Sequence, residues 1–165
     1  MFIIVMGVSS AGKTTTARLL AERVGLSFHD ADDFHSQENR EKMTRDESLS
    51  DEDRAPWLEQ LSALAAVWDA DGGAVLACSA LKQAHRDTLV QRVTDYRVVY
   101  LELSREEAVC RLTKRVGHHP FIGKFTHLLE GQFRDLEPPE AAVTLDAQLE
   151  SAELVERAAR ALGFG

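Results

Sequence analysis

The chain has 165 residues and a formal net charge of −8, with 44% hydrophobic and 28% charged residues. That length and balance fit one domain over residues 1–165 with a sizeable core, and the acidic excess argues against a nucleic-acid partner unless a strong basic patch is present. No stretch is long and apolar enough to span a membrane, so no membrane partner is expected, and the two cysteines, Cys78 and Cys110, form no CxxC pair and read as free thiols of a cytoplasmic protein.

Phe2 to Met6 is a short apolar run rich in β-branched residues and predicts a buried strand. It leads into Gly7-Val8-Ser9-Ser10-Ala11-Gly12-Lys13-Thr14-Thr15, which fits the P-loop pattern G-x-x-x-x-G-K-[ST]. Ala17, Leu20, Ala21 and Val24 then recur at helical spacing. Strand, glycine-bearing loop and helix together aim backbone N–H groups at a phosphate chain. Lys13 would reach the β/γ oxygens of ATP, and Thr14 would offer its hydroxyl to Mg²⁺.

Leu26 to His29 predicts a second strand, followed at once by Asp30-Ala31-Asp32-Asp33-Phe34-His35. Carboxylates past a strand end sit where open parallel sheets bind ligands. Asp30 would lie near the metal, and Asp32 would face an acceptor hydroxyl and take its proton. A short helix and loop are expected between Gln37 and Ser50. Asp51 to Asp53 ahead of Pro56 reads as a helix start with proline in the first turn. Trp57, Leu58, Leu61, Leu64, Ala65 and Trp68 continue that helix as core positions, and Gly72-Gly73 ends it.

Ala74 to Cys78 is a third strand, ending in Ser79 with no carboxylate, which favours a small-molecule kinase over a GTPase or motor ATPase. A helix through Arg86 and Leu89 follows. Arg54, Lys82 and Arg86 together could hold an anionic substrate, since arginine presents a planar fork suited to a carboxylate. Arg97 to Leu103 is a fourth strand, and Ser104 with Glu107 is a capping-box signature. The helix it opens carries Arg111, Lys114 and Arg115 toward a Gly117-to-Gly123 break, read as a mobile flap. Leu128 to Leu136 predicts a helix ended by Pro138-Pro139. Ala142 to Leu145 predicts a fifth strand, and Leu154 to Leu162 a last helix. His35, His118, His119 and His127 fit no familiar zinc spacing, so no zinc is assigned. Strands alternating with helices give an α/β fold with a parallel sheet.

The ordered stretches resemble those of the gluconokinases of the small P-loop type, related to shikimate kinase and the nucleoside monophosphate kinases. The resemblance is carried by Gly7 to Thr14; Asp30 to His35 with Asn39, Lys42 and Met43; Leu49 to Leu58; Cys78 to Lys82 with Arg86-Asp87; and Arg111 to His118 with Gln132-Phe133 and Leu136 to Pro138. It implies a three-layer α/β/α kinase with a five-stranded parallel sheet, a helical lid at about 115–127, and in many members a homodimer. It implies ATP-dependent, Mg²⁺-requiring phosphorylation of D-gluconate to 6-phospho-D-gluconate.

On that resemblance, Gly7, Ser9, Ser10, Ala11, Gly12, Lys13, Thr14 and Thr15 bind nucleotide, and Arg111 lies against the adenine. Thr14 and Asp30 hold the metal. Asp32, His35, Arg54, Lys82, Arg86 and His118 shape the acceptor site, and Lys13, Asp32 and Arg115 are catalytic. The chain departs from the family pattern in Ser10-Ala11 of the loop, in Gly131 before Gln132, and in a longer 119–127 segment. A kinase of another small acid such as shikimate, or a nucleotide-binding module without turnover, remains open on the residues alone.

Overall fold

The computed structural model describes residues 1–45, 47–116 and 122–165, with the backbone alone for 116 and 122–126. Five parallel strands are present: β1 (Phe2–Met6), β2 (Ser27–Asp30), β3 (Ala74–Ala77), β4 (Tyr96–Glu102) and β5 (Val143–Asp146). Their order across the sheet is β2-β3-β1-β4-β5. The helices are α1 (Lys13–Val24), α2 (Gln37–Thr44), α3 (Asp51–Ala70), α4 (Gln83–Val90), α5 (Arg105–Val116), α6 (Ile122–Asp135) and α7 (Ser151–Ala161). A 3₁₀ turn, Ala31–Phe34, follows β2 directly.

All five residues of β1 are fully buried, which explains why it reads as a continuous apolar run and not an alternating one. Ile3 and Val5 face a core shared with Leu20 of α1, Leu112 of α5, Leu129 of α6 and Val155 of α7. Phe2, Ile4 and Met6 face the opposite core, with Trp57, Leu58 and Leu61 of α3 and Leu89 of α4. Helices therefore cover both faces of the sheet, as the resemblance implies.

The boundaries hold three corrections. β2 runs to Asp30, so this carboxylate ends the strand instead of following it. Pro56 is not in the first turn of α3. That turn is Asp51 to Asp53, capped by Ser50, whose Oγ accepts from the Asp53 N–H while the Asp53 carboxylate accepts from the Ser50 N–H. This capping box fixes the start on its own. Gly123, expected to bound a flap, lies inside α6, so the helix enters the 115–127 region from its far side. The residues between, Gly117 to Phe121 with His118 among them, lie outside the described residues.

Candidate active site

A cavity of about 590 Å³ opens at the carboxyl ends of β1, β2 and β3. The P-loop forms its floor. Gly7 leaves β1 at φ +151°, and a Cβ there would stand 2.8 Å from the Leu101 carbonyl oxygen of β4. Only glycine allows that close approach, which is a structural need and leaves Gly7 outside the cavity wall. Ala11 likewise packs into the core and stands outside the cavity wall. Ser9, Ser10, Gly12, Lys13, Thr14 and Thr15 all line the cavity. Ser10 holds φ at 68° and Gly12 at 90°, left-handed conformations that curl the loop over the start of α1.

Lys13 Nζ donates to the Val8 carbonyl at 3.0 Å. Burial holds its ammonium below the usual lysine range, against the opposing pull of Asp32, Cys78 and Asp30. Thr14 Oγ1 donates to Asp30 Oδ2 at 2.7 Å, which joins the loop to the end of β2. The other Asp30 oxygen accepts from the Asp32 N–H at 3.1 Å and starts the 3₁₀ turn. These contacts place a hydroxyl and a carboxylate side by side next to the phosphate-binding loop, a hard oxygen donor set that suits Mg²⁺. The buried Ser10 Oγ has no hydrogen-bond partner among the described residues.

The Asp32 side chain is 84% exposed toward the cavity mouth. Its carboxyl is nevertheless held above the usual carboxylate range, first by the desolvating walls around it and then by Asp30. His35 Nε2 stands 3.8 Å from Asp32 Oδ1. The His35 ring stacks on Trp57 at 4.2 Å and 16°, and burial keeps it below the usual histidine range. Trp57 Nε1 donates to the Ala31 carbonyl at 2.9 Å and so props the turn that carries Asp32. Trp57 is thus a core residue, as its spacing predicts, and also part of the wall.

Of the three cations expected to share an anion, Arg54 and Lys82 both stand at the Asp51 carboxylate, at 3.9 and 2.8 Å, while Arg86 is engaged elsewhere. Arg54 lines the cavity. Lys82 is not on the wall; its Nζ donates to Asp51 Oδ2 at 2.8 Å, and His85 meets the same carboxylate at 3.1 Å. Arg86 is 3% exposed and spends its guanidinium on the carbonyls of Ala80, Leu81 and Glu137 and on Gln83 Oε1. It clamps the chain after β3 to the segment after α6. A buried arginine needs such acceptors, and carbonyl oxygens supply them without a second charge. Lys82 and Arg86 thus lie off the cavity wall, each held by contacts within the chain.

On the opposite wall stand Arg111 and Arg115 of α5. Arg111 donates to the Ala147 carbonyl at 2.8 Å and the Ser10 carbonyl at 3.3 Å, so it ties the segment just after β5 to the P-loop. Arg115 is close enough to Lys13 to oppose its positive charge. Cys78 at the end of β3 is buried and its thiol is pushed up to about 12, which makes it a packing residue and not a nucleophile. One site residue escapes sequence reasoning. Gln132 of α6 lines the cavity and bonds to Ser9, and its stretch entered the resemblance without any role.

A shikimate kinase family model matches residues 9–160. A probable gluconokinase of Mus musculus is 43% identical, over 84% of this chain and 83% of its own. The thermosensitive gluconokinase of Escherichia coli is 34% identical over 96% of this chain and 86% of its own. The chain belongs to the gluconokinase family. Solved structures of such kinases superpose over nearly its whole length. A gluconokinase from Sinorhizobium meliloti is 34% identical at a TM-score of 0.84, covering 97% of this chain and 90% of that one. An unliganded sugar kinase from Janibacter is 37% identical at 0.88, covering 99% and 95%. Gluconokinase membership makes the chain an enzyme of the kinase class, with ATP as the co-substrate the P-loop is shaped for.

Proposed function

We propose that this protein phosphorylates D-gluconate to 6-phospho-D-gluconate with Mg²⁺-ATP, in the cytoplasm. The observation that carries the reading is the meeting in one cavity of a phosphate-binding loop, a Thr14–Asp30 oxygen pair, a free carboxylate on Asp32 and the cation Arg54. The gluconokinase names of relatives at 40–43% identity support the choice of acid.

Loop N–H groups and Lys13 hold the β- and γ-phosphates. Thr14 and Asp30 would hold Mg²⁺, which supplies charge neutralisation on the phosphate oxygens when bound. Arg54 and His35 orient the sugar acid, its carboxylate paired with the guanidinium. Asp32 accepts the proton of the attacking hydroxyl as that oxygen bonds to the γ-phosphorus and the bond to the bridging oxygen of ADP breaks. A carboxyl held above its ordinary range is a stronger base than one within it, which suits that role. Arg115 faces the charge that spreads over the transferring group.

ADP release measured with gluconate, shikimate and glucose in parallel tests the reading. Gluconate is expected to give a kcat/KM at least roughly a hundredfold above glucose, because glucose leaves Arg54 without its carboxylate. Comparable turnover of shikimate or glucose would overturn the assignment.

A further inference from the structure

The peptide unit between Val8 and Ser9 is held from both sides. Its carbonyl accepts from Lys13 Nζ at 3.0 Å. Its N–H donates to Gln132 Oε1 at 2.6 Å. The same carboxamide donates through Nε2 to Ser9 Oγ at 2.9 Å. One side chain thus grips one loop residue at two points, across 123 positions of sequence.

In a trans peptide the C=O and N–H point in opposite directions from one rigid plane. Any rotation of that plane moves both bonds together. An acceptor on the N–H also draws charge onto the carbonyl oxygen and strengthens the bond that oxygen accepts. Here the bond so strengthened is the one that holds the Lys13 ammonium. That ammonium has three donors, so the bond to Val8 leaves two for phosphate oxygens. The grip has a firm base, because Leu129 of α6 is 2% exposed and packs in the same core cluster as Val8 and Ala11 of the loop.

We propose that Gln132 is a positioning residue for Lys13, acting through the Val8–Ser9 peptide, and that it couples α6 to the phosphate-binding loop. It locks the peptide in the orientation that presents the ammonium to the β- and γ-phosphates. The inference rests on reading the site as a nucleotide-dependent kinase. Nothing in the P-loop pattern asks for a glutamine so far along the chain, and a substitution there leaves every consensus loop residue intact.

The test is Gln132→Leu, which keeps volume and helix propensity but removes both bonds. Gln132→Asn serves as a second variant, with the same amide one methylene too short to reach. Binding of Mg²⁺ with the non-hydrolysable analogue AMP-PNP, and of AMP, is measured by calorimetry beside steady-state kinetics. Either variant is expected to weaken AMP-PNP roughly tenfold and change AMP less than about twofold, since AMP lacks the phosphates that Lys13 contacts. The kcat is expected to fall roughly tenfold with KM for gluconate within about twofold. Equal weakening of both nucleotides would reduce Gln132 to a packing residue, and unchanged binding with unchanged kcat would leave it no role at all. A wild type that binds AMP-PNP but turns over no gluconate overturns the substrate reading and leaves the Gln132 assignment to be judged on binding alone.

Discussion

Replacing Trp57 by phenylalanine separates what holds the acceptor turn from what holds the nucleotide. Trp57 is 6% exposed, and its indole N–H is the donor to the Ala31 carbonyl at 2.9 Å. Ala31 is itself 1% exposed and sits between Asp30 and Asp32. Phenylalanine keeps most of the ring but leaves that buried carbonyl without its donor, which costs about 1–3 kcal/mol. The stack on His35 loses overlap as well, at about 0.5 kcal/mol. The sum is about 1.5–3.5 kcal/mol, and for a domain of this size it lowers the melting temperature by roughly 3–14 °C. Because the freed turn carries Asp32, kcat/KM for gluconate is expected to drop roughly tenfold while KM for ATP holds. Urea unfolding at constant m-value, paired with steady-state kinetics in both substrates, reads both effects. A melting temperature within about 1 °C of wild type would refute the hydrogen-bond argument. A parallel rise in KM for ATP would refute the separation of the two halves of the site.

Lys13→Ala is expected to abolish nearly all phosphoryl transfer and leave the melting curve close to wild type, since the side chain faces the cavity; near-normal turnover would count against its role. Arg115→Ala should lower kcat by roughly a hundredfold, about 2.7 kcal/mol, with little change in KM for ATP. A lowered melting temperature with unchanged kcat would make Arg115 a helix-end charge only. The pH profile of kcat/KM should be bell-shaped and narrow. Activity needs Asp32 ionised, and its carboxyl is held up, so the acid limb lies above the ordinary carboxylate range. Activity also needs Lys13 charged, and burial holds it down, so the alkaline limb lies below the ordinary lysine range. Asp32→Asn should remove the acid limb along with most of the rate, and an acid limb that persists in this variant would assign it elsewhere.

The P-loop, its flanking strand and helix, and the Asp30–Asp32 pair were all legible in the sequence, because each is a local pattern with a local cause. Thr14 and Asp30, sixteen positions apart, meet as expected at 2.7 Å because β2 ends beside the loop. Side-chain direction was not legible in the same way. Lys82 and Arg86 follow a strand end, as substrate-binding residues do, but Asp51 and a set of backbone carbonyls claim them first. Those acceptors come from α3 and from the segment after α6, and no local pattern signals their approach. Gln132 was hidden for the same reason in reverse. A single polar residue on an amphipathic helix looks solvent-facing until the fold brings Ser9 to it. Pro56 was misplaced because a real cap, Ser50 with Asp53, outranks the proline as a start signal.

The sheet order has a consequence for the making of the protein. β1 lies at the centre of the sheet and is synthesised first of the five, yet its partners are β3, ending at Ala77, and β4, ending at Glu102. At roughly 5–20 residues per second, the growing chain carries an unpaired, wholly apolar strand for on the order of 4–14 s before β3 exists to cover one edge, and longer before β4 covers the other. In that interval Phe2 to Met6 is the kind of segment that pairs with a neighbouring nascent chain on the same message. The strand that anchors the phosphate loop in the finished enzyme is, at birth, an apolar segment with neither of its neighbours yet made.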